Sequence, residues 1–572
     1  MPNFFTDNQD LLFQFENLNI EEVVTIGENN FKYNEEYNYA PADYSNAIDN
    51  YRKILEIVGD LSANFIAPRA AEVDEEGNAL KDGKVIYAKG IAEALKQLSD
   101  AELMGMTLPY KYGGLNFPTT IYMLAVEMVS QADASLMNIF GLQDIAETIN
   151  KFGNEQQKEE FLPHFSSGKY TGAMVLTEPD AGSDLQSVNL KAYQDQNGNW
   201  FLKGMKRFIT NGCGDVLLVL ARSEPGTKDG RGLSLFVCYG EKVKVRRIEN
   251  KMGIHGSPTC ELQFDDIPAE LIGKRRFGLI KYVMDLMNGA RLGIAAQALG
   301  ISQAAYEQAL SYAKAREQFG QPIYNIPVVT NMLIDMRVTL ESCRSLLYAT
   351  SQWVDLKDKL EEKIEELKEE GKSFEEENIR YKEATKIAAL LTPMVKYTIT
   401  EAANQITYNS LQIHGGAGYM KEFSIERLAR DARITNIYEG TSQLQIVAAT
   451  GGVINDILKD YFDKKEKKKY KGALDKLAGH LKEIREIFYN DLQYVIDKHD
   501  SQFQEVAAKE LVELYSYLYI GYLLIEEAEK NARKVFIANR YIMSALSKAR
   551  KNSESIKNDQ FSDILHADEI LI

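Results

Sequence analysis

One change of period limits what this chain can fold into. From about residue 171 to 280, short apolar runs alternate with Asn-Gly and Gly turns, as in "VNLKAYQDQNGNWFLKGMKRFITNG", "DVLLVLARS", "GLSLFVCYG" and "KVKVRRIENKMG". Runs of this length broken by such turns predict antiparallel sheet. On both sides, apolar residues recur near every 3.6 positions, which predicts helices. "YSNAIDNYRKILEIVGDLSANFIAPRAAEVD" reads as a helix that stops near Pro68, and "GIAEALKQLSDAELMGM" repeats the pattern. The order is therefore helices, a β insertion, then helices again. This is an α+β fold, mostly α, with a small middle β barrel or sandwich.

The length of 572 residues calls for several domains. The expected division is an N-terminal extension at 1–42, a helical domain at 43–170, the β domain at 171–280, a helical bundle at 281–457 and an additional helical domain at 458–572. Within the bundle, residues 355–383 are nearly all charged and read as an exposed helix-turn-helix tip with i,i+4 pairs. A charged break, "KDYFDKKEKKKYKG", separates the last unit.

Composition removes several function classes. The formal net charge of -17 opposes nucleic-acid binding, which needs a basic stripe. Four cysteines without a Cys-x-x-Cys pair predict a reducing compartment and neither a zinc cluster nor another metal site. The first residues lack a basic region followed by an apolar block, and no run of about 18 apolar residues occurs, so a cytoplasmic protein without a transmembrane segment is expected. There is no dinucleotide fingerprint in a strand-turn-helix setting, no Walker loop and no nucleophile elbow. His255 and His414 lie in glycine-rich turns and read as turn or packing residues.

Polar side chains at the element ends carry the chemistry. In "TEPDAGSD", Thr177, Gly182 and Ser183 offer hydroxyls and open backbone N–H groups at a strand end, suited to a polar ring edge or a phosphate, or to an ordinary turn. "KRFITNG" adds the ring of Phe208 and the hydroxyl of Thr210. Arg316 in "AREQFG" stands at a helix end, where a bidentate pyrophosphate contact or a plain salt bridge is open to it. Gln412, Gly415 and Gly416 in "QIHGGAG" allow close approach of another backbone or a ligand. Arg291 is a charge in an alanine-rich helix, paired internally or reserved for an anion. Glu439 is a lone acid between a tyrosine and a Gly-Thr-Ser turn.

Taken together, "TEPDAGSD", "FITNG", "AREQFG", "QIHGGAGY" and "RDARITNIYEGTSQLQ" resemble the acyl-CoA dehydrogenases, in the family's order, over roughly residues 45 to 450. The resemblance implies an N-terminal helical domain, a β domain, a C-terminal four-helix bundle and bound FAD. It implies that Glu439 is the base taking the α-proton of an acyl-CoA thioester while flavin N5 takes the β-hydride, giving a trans-2-enoyl-CoA. The thioester carbonyl would accept from the Glu439 N–H and a flavin ribityl hydroxyl. Thr177 and Ser183 would lie near the flavin ring and its substrate face, with Phe208 in place of the family's tryptophan and Thr210 beside it. Arg316, Phe319, Gln412 and Gly416 would reach the FAD of a neighbouring subunit, and Thr441 and Gln443 would contact FAD beside the base. Arg291 would lie near the CoA moiety, with Asn288 where the family has an aspartate. Some relatives carry the base on the Arg291 helix, where this chain has Ala290. Electrons would pass to an electron-transfer flavoprotein, and a homodimer is expected. An acyl-CoA oxidase and a non-catalytic flavoprotein are the alternatives.

Overall fold

A computed structural model describes residues 1–141, 144–558, 563–564 and 566–572. Two compact units emerge, Met1–Ala305 with Gly415–Glu439, and Tyr306–His414 with Gly440–Ile572.

The first unit begins with α1 (Gln9–Glu16), α2 (Glu21–Gly27), α3 (Tyr44–Leu61) and α4 (Ala70–Glu76). Asn8 caps α1 and Asp43 caps α3 with side-chain oxygens, satisfying first-turn N–H groups. The predicted N-terminal extension is thus structured, and Phe5, Leu11 and Ile20 are fully buried in the core. The chain leaves α3 through a π turn over Ser62–Ile66 just before Pro68, where the missing N–H ends a regular helix. A hairpin of β1 (Ala79–Lys81) and β2 (Lys84–Ile86) follows, which the helical pattern of the flanks concealed. Then come α5 (Lys89–Asp100), α6 (Thr119–Ala132), α7 (Ala134–Phe140), α8 (Asp144–Phe152) and α9 (Glu155–Ser166). Residues 142–143 of the long apolar stretch lie outside the described residues. Helix α6 is buried on almost every side, its polar Glu127, Ser130 and Gln131 included.

Seven strands make the β domain: β3 (Gly172–Val175), β4 (Lys191–Gln194), β5 (Trp200–Thr210), β6 (Val216–Arg222), β7 (Leu233–Tyr239), β8 (Lys244–Ile248) and β9 (Thr259–Leu271). Their pairings close on themselves through β6, β4, β5, β9 and β7, with β3 added in parallel to β6 and β8 added to β9. The expected barrel is therefore present. Strand β6 explains its own sequence. Leu217, Val219 and Ala221 face one apolar core, while Val216, Leu218 and Leu220 face a second core shared with Ile145, Phe161 and Phe165 of α8 and α9. A strand buried on both faces reads as a continuous apolar run, not as an alternation.

Helix α10 (Met284–Ala315) leads from the first unit into the second. The second unit continues with a two-residue turn between β10 (Glu317–Gln318) and β11 (Gln321–Pro322), then α11 (Pro327–Glu369) and α12 (Glu375–His414). The charged stretch is the meeting of these two long helices around Gly371, whose φ is +69°. Helix α13 (Ile425–Thr435) belongs to the first unit. Helices α14 (Ser442–Ile454), α15 (Lys459–Lys467), α16 (Ala473–Asp497), α17 (Ser501–Lys530), α18 (Lys534–Lys557) and α19 (Ala567–Ile570) complete the second, so the charged break is itself partly helical. Helices α16, α17 and α18 pack on one another, and α17 also packs against α14 and α11. Glu341 of α11, fully buried, receives Arg533 at 2.8 and 2.9 Å and Lys534 at 2.9 Å. Lys534, also fully buried, reaches Glu527 at 2.9 Å. Among the described residues no helix is long and apolar enough to cross a membrane.

Candidate active site

Two segments of the β domain meet where Thr177 and Phe208 were singled out. The Arg207 N–H donates to the Thr177 carbonyl at 3.0 Å. Beneath them lies a fully buried lysine, Lys206, whose Nζ donates to the Leu176 carbonyl at 2.6 Å and pairs with Glu178 at 3.0 Å. Glu178 also accepts the Asn189 and Leu190 N–H groups, each at 2.8 Å, which fastens the "TEPDAGSD" loop to the barrel. Burial pushes the Lys206 amine down to about 8, against the pull of Glu178. The β5–β9 register slips between Lys206 and Ile209, and on that bulge Phe208 adopts φ +60° with its ring 52% exposed. Thr210 sits opposite Thr259, and Ser183 is exposed on its loop.

Asn288, Arg291 and Glu439 form a second grouping in the same unit. Arg291 is buried on α10, and its Nη1 donates to Asn288 Oδ1 at 3.0 Å. Among the described residues its Nε has no acceptor. Burial lowers the Arg291 pKa, and the nearby Glu439 charge opposes that shift. Glu439 is half-buried with φ +55°, a left-handed conformation costing of order 1–3 kcal/mol in a non-glycine residue. Just before it, the Tyr438 hydroxyl donates to Gln297 Oε1 and, at 3.2 Å, to Asn138 Oδ1. Gln297 Nε2 donates to the Ala134 carbonyl at 2.8 Å and to Asn138 Oδ1 at 3.0 Å, and Asn138 donates to Ser257 Oγ at 3.2 Å. The buried Asp431 of α13 accepts the Ile254 N–H at 2.5 Å, and burial raises its carboxyl to about 7. The segment entering Glu439 is thus tied to α7, α10 and the loop before β9.

In the second unit the chain leaving Glu439 is held as well. The Gly440 carbonyl accepts from Lys396 Nζ at 2.8 Å and from Gln445 Nε2 at 3.0 Å. Thr441 caps α14 by accepting the Leu444 N–H, and Ser442 donates to Glu401. Gln443 is exposed on the first turn of α14, and Gln412 is exposed near the end of α12. Arg316 is exposed directly after α10. Phe319 is 91% exposed at the tip of the β10–β11 turn, with φ +54°, followed by Gly320 at +76°. Left-handed residues at both central positions define the tight turn that presents this ring. Gly416, in the first unit, is exposed with no atom within 4 Å of where a Cβ would lie.

In the first unit, the exposed Phe208 ring leaves apolar surface to be covered and Thr210 lies two residues on, while among the described residues the buried Arg291 Nε has no acceptor. Among the described residues no cluster of His, Cys, Asp or Glu could hold a metal ion. Inspection of the sequence missed Lys206, Gln297, Asn138, Tyr438 and Lys396. The available signals were polar residues standing inside otherwise apolar elements.

Family models for the acyl-CoA dehydrogenase N-terminal, middle and C-terminal domains match residues 49–169, 173–267, and 280–368 with 372–450. The 3-methylmercaptopropionyl-CoA dehydrogenase of Ruegeria pomeroyi is 34% identical over 429 residues, covering 70% of this chain and 69% of that protein. The chain belongs to the acyl-CoA dehydrogenase family. It is an FAD-binding enzyme of that family acting on an acyl-CoA. The butyryl-CoA dehydrogenase structure from Megasphaera elsdenii is 32% identical, with a TM-score of 0.60, and the match covers 71% of this chain and 98% of that one. An acyl-CoA dehydrogenase from Bacillus anthracis, solved with FAD, is 23% identical with a TM-score of 0.75. That match covers 89% of this chain and 88% of the other, so the acyl-CoA dehydrogenase fold with a helical tail recurs there.

Proposed function

We propose that Glu439 is the base that removes the α-proton of an acyl-CoA thioester during its conversion to the trans-2-enoyl-CoA. The observation carrying this reading is the anchorage of a left-handed carboxylate within the first unit. Tyr438, the residue before it, is held through Gln297 and Asn138. A strained residue next to such an anchor is a positioned one. The Glu439 N–H donates to the thioester carbonyl and stabilises the charge that develops as the proton leaves. Bound FAD supplies the acceptor for the β-hydride. Arg291 steadies the Glu439 carboxylate, while its Nε, without an acceptor among the described residues, and the amide of Asn288 receive the anionic substrate.

Thr177, Ser183, Phe208 and Thr210 hold the flavin ring, with Thr441 and Gln443 beside the base. Arg316, Phe319, Gln412 and Gly416 reach the cofactor of a second subunit. The bareness of Phe319 supports that assignment, since a ring so exposed gains by being covered. A homodimer, with an electron-transfer flavoprotein as acceptor in the cytoplasm, completes the proposal. Packing of α17 on α14 and α11 supports a dimer over a higher assembly, because that face is already covered within the chain. The test is Glu439→Gln. The variant should retain FAD yet stay yellow when mixed anaerobically with a panel of acyl-CoAs of different chain length. Bleaching at the wild-type rate would reassign the base.

A further inference from the structure

Cys213 and Cys260 are distant in sequence and meet in the barrel. Cys260 lies on β9 opposite Ile209. Cys213 follows the turn that ends β5, and a Cβ added to Gly212 would come within 2.8 Å of the Cys260 Cβ, so that turn lies directly on Cys260. Cys213 packs against the apolar core that contains Cys260. Cys213 Sγ is also 3.7 Å from the Tyr87 hydroxyl and 3.6 Å from Asn211 Oδ1. Both cysteines are free, Cys213 half-buried and Cys260 fully buried.

The surroundings make the two sulfurs unequal. Cys213 is half-buried and Cys260 fully buried, and burial disfavours a thiolate. The more accessible sulfur ionises first, and the buried one remains a thiol beside it.

We propose that Cys213 and Cys260 form a dithiol that a hydroperoxide converts to a disulfide. The Cys213 thiolate attacks one peroxide oxygen; the O–O bond breaks, hydroxide leaves, and Cys213 becomes a sulfenic acid. The Cys260 sulfur then attacks the Cys213 sulfur. The S–O bond breaks, the Cys260 proton leaves with the departing hydroxide as water, and the S–S bond forms. Two thiols thus give up two electrons, and one hydrogen peroxide becomes two waters. The bond would pin the turn after Thr210 onto β9, at the edge of the segment assigned above to the flavin; its formation does not depend on that assignment.

The test titrates the FAD-loaded enzyme with hydrogen peroxide, blocks remaining thiols and maps peptides without reduction. Two of the four thiols should be lost as a Cys213–Cys260 cross-linked peptide, while Cys238 and Cys343, both buried, stay alkylatable after unfolding. Dithiothreitol should restore all four, and Cys213→Ser or Cys260→Ser should remove the cross-link. A wild-type map in which Cys213 carries sulfinic acid, or stays unmodified, with no cross-link overturns the proposal whether or not either variant folds.

Discussion

Tyr438→Phe separates the anchoring of the base from its chemistry. The substitution removes one hydroxyl and keeps the ring, so little volume is lost. The hydroxyl donates to Gln297 Oε1 and, at 3.2 Å, to Asn138 Oδ1. Asn138 Oδ1 retains Gln297 Nε2 as a donor at 3.0 Å, whereas Gln297 Oε1 loses its phenol in a position 0% exposed to solvent. A buried acceptor left unpaired costs ~1–3 kcal/mol. That cost arises one residue before Glu439. If about 1.4 kcal/mol of it appears as lost positioning in the transition state, proton removal slows about tenfold. Substrate affinity does not depend on this hydroxyl, so KM should stay within about twofold. Anaerobic stopped-flow absorbance at saturating acyl-CoA reads the rate, and urea unfolding reads the stability. Flavin bleaching at the wild-type rate, with or without a loss of stability, would refute the idea that Tyr438 positions the base.

Lys206→Met should cost ~3–5 kcal/mol in urea unfolding, because Glu178 would keep a buried charge without its cation. The same pair gives a pH signature. Burial holds the Lys206 pKa at about 8, against an ordinary 10.5. Between those values the unfolded state binds more protons than the native state, so the contribution of this residue to stability rises with pH, by up to about 1.4 kcal/mol per pH unit. The difference between wild type and Lys206→Met should therefore grow from pH 8 to 10; a flat difference refutes it. Glu341→Ala should loosen the C-terminal helices by ~3–5 kcal/mol, since the fully buried Lys534 and the neighbouring Arg533 would lose this carboxylate. Limited trypsin digestion should then cut near Arg533, and a tail as resistant as wild type would contradict that role.

Much of the fold was legible because period and punctuation are local. The switch from a 3.6-residue period to short runs with Gly turns located the barrel, and the charged stretch located the turn between α11 and α12. What was not legible depends on facing and register. The continuous apolar run of β6 fits burial on both faces, but which of its residues face which core depends on strand pairing. Phe208 looked like any strand residue until the slip between Lys206 and Ile209 placed it at positive φ. Lys396 sits on a helix whose facing is uncertain by one turn from sequence, so its reach to the Gly440 carbonyl was invisible. Cysteine spacing concealed Cys213 and Cys260, because strand pairing, not sequence distance, brings them together.

Within the first unit, the main chain entering Glu439 is gripped at Tyr438 by Gln297 and Asn138. Little adjustment is then left beyond the torsions of the glutamate side chain itself, a reach of about one ångström or two. Adaptation to longer, shorter or branched acyl groups must come from reshaping the cavity walls around a stationary proton acceptor, so substitutions that retune chain-length preference should lie elsewhere than in this loop.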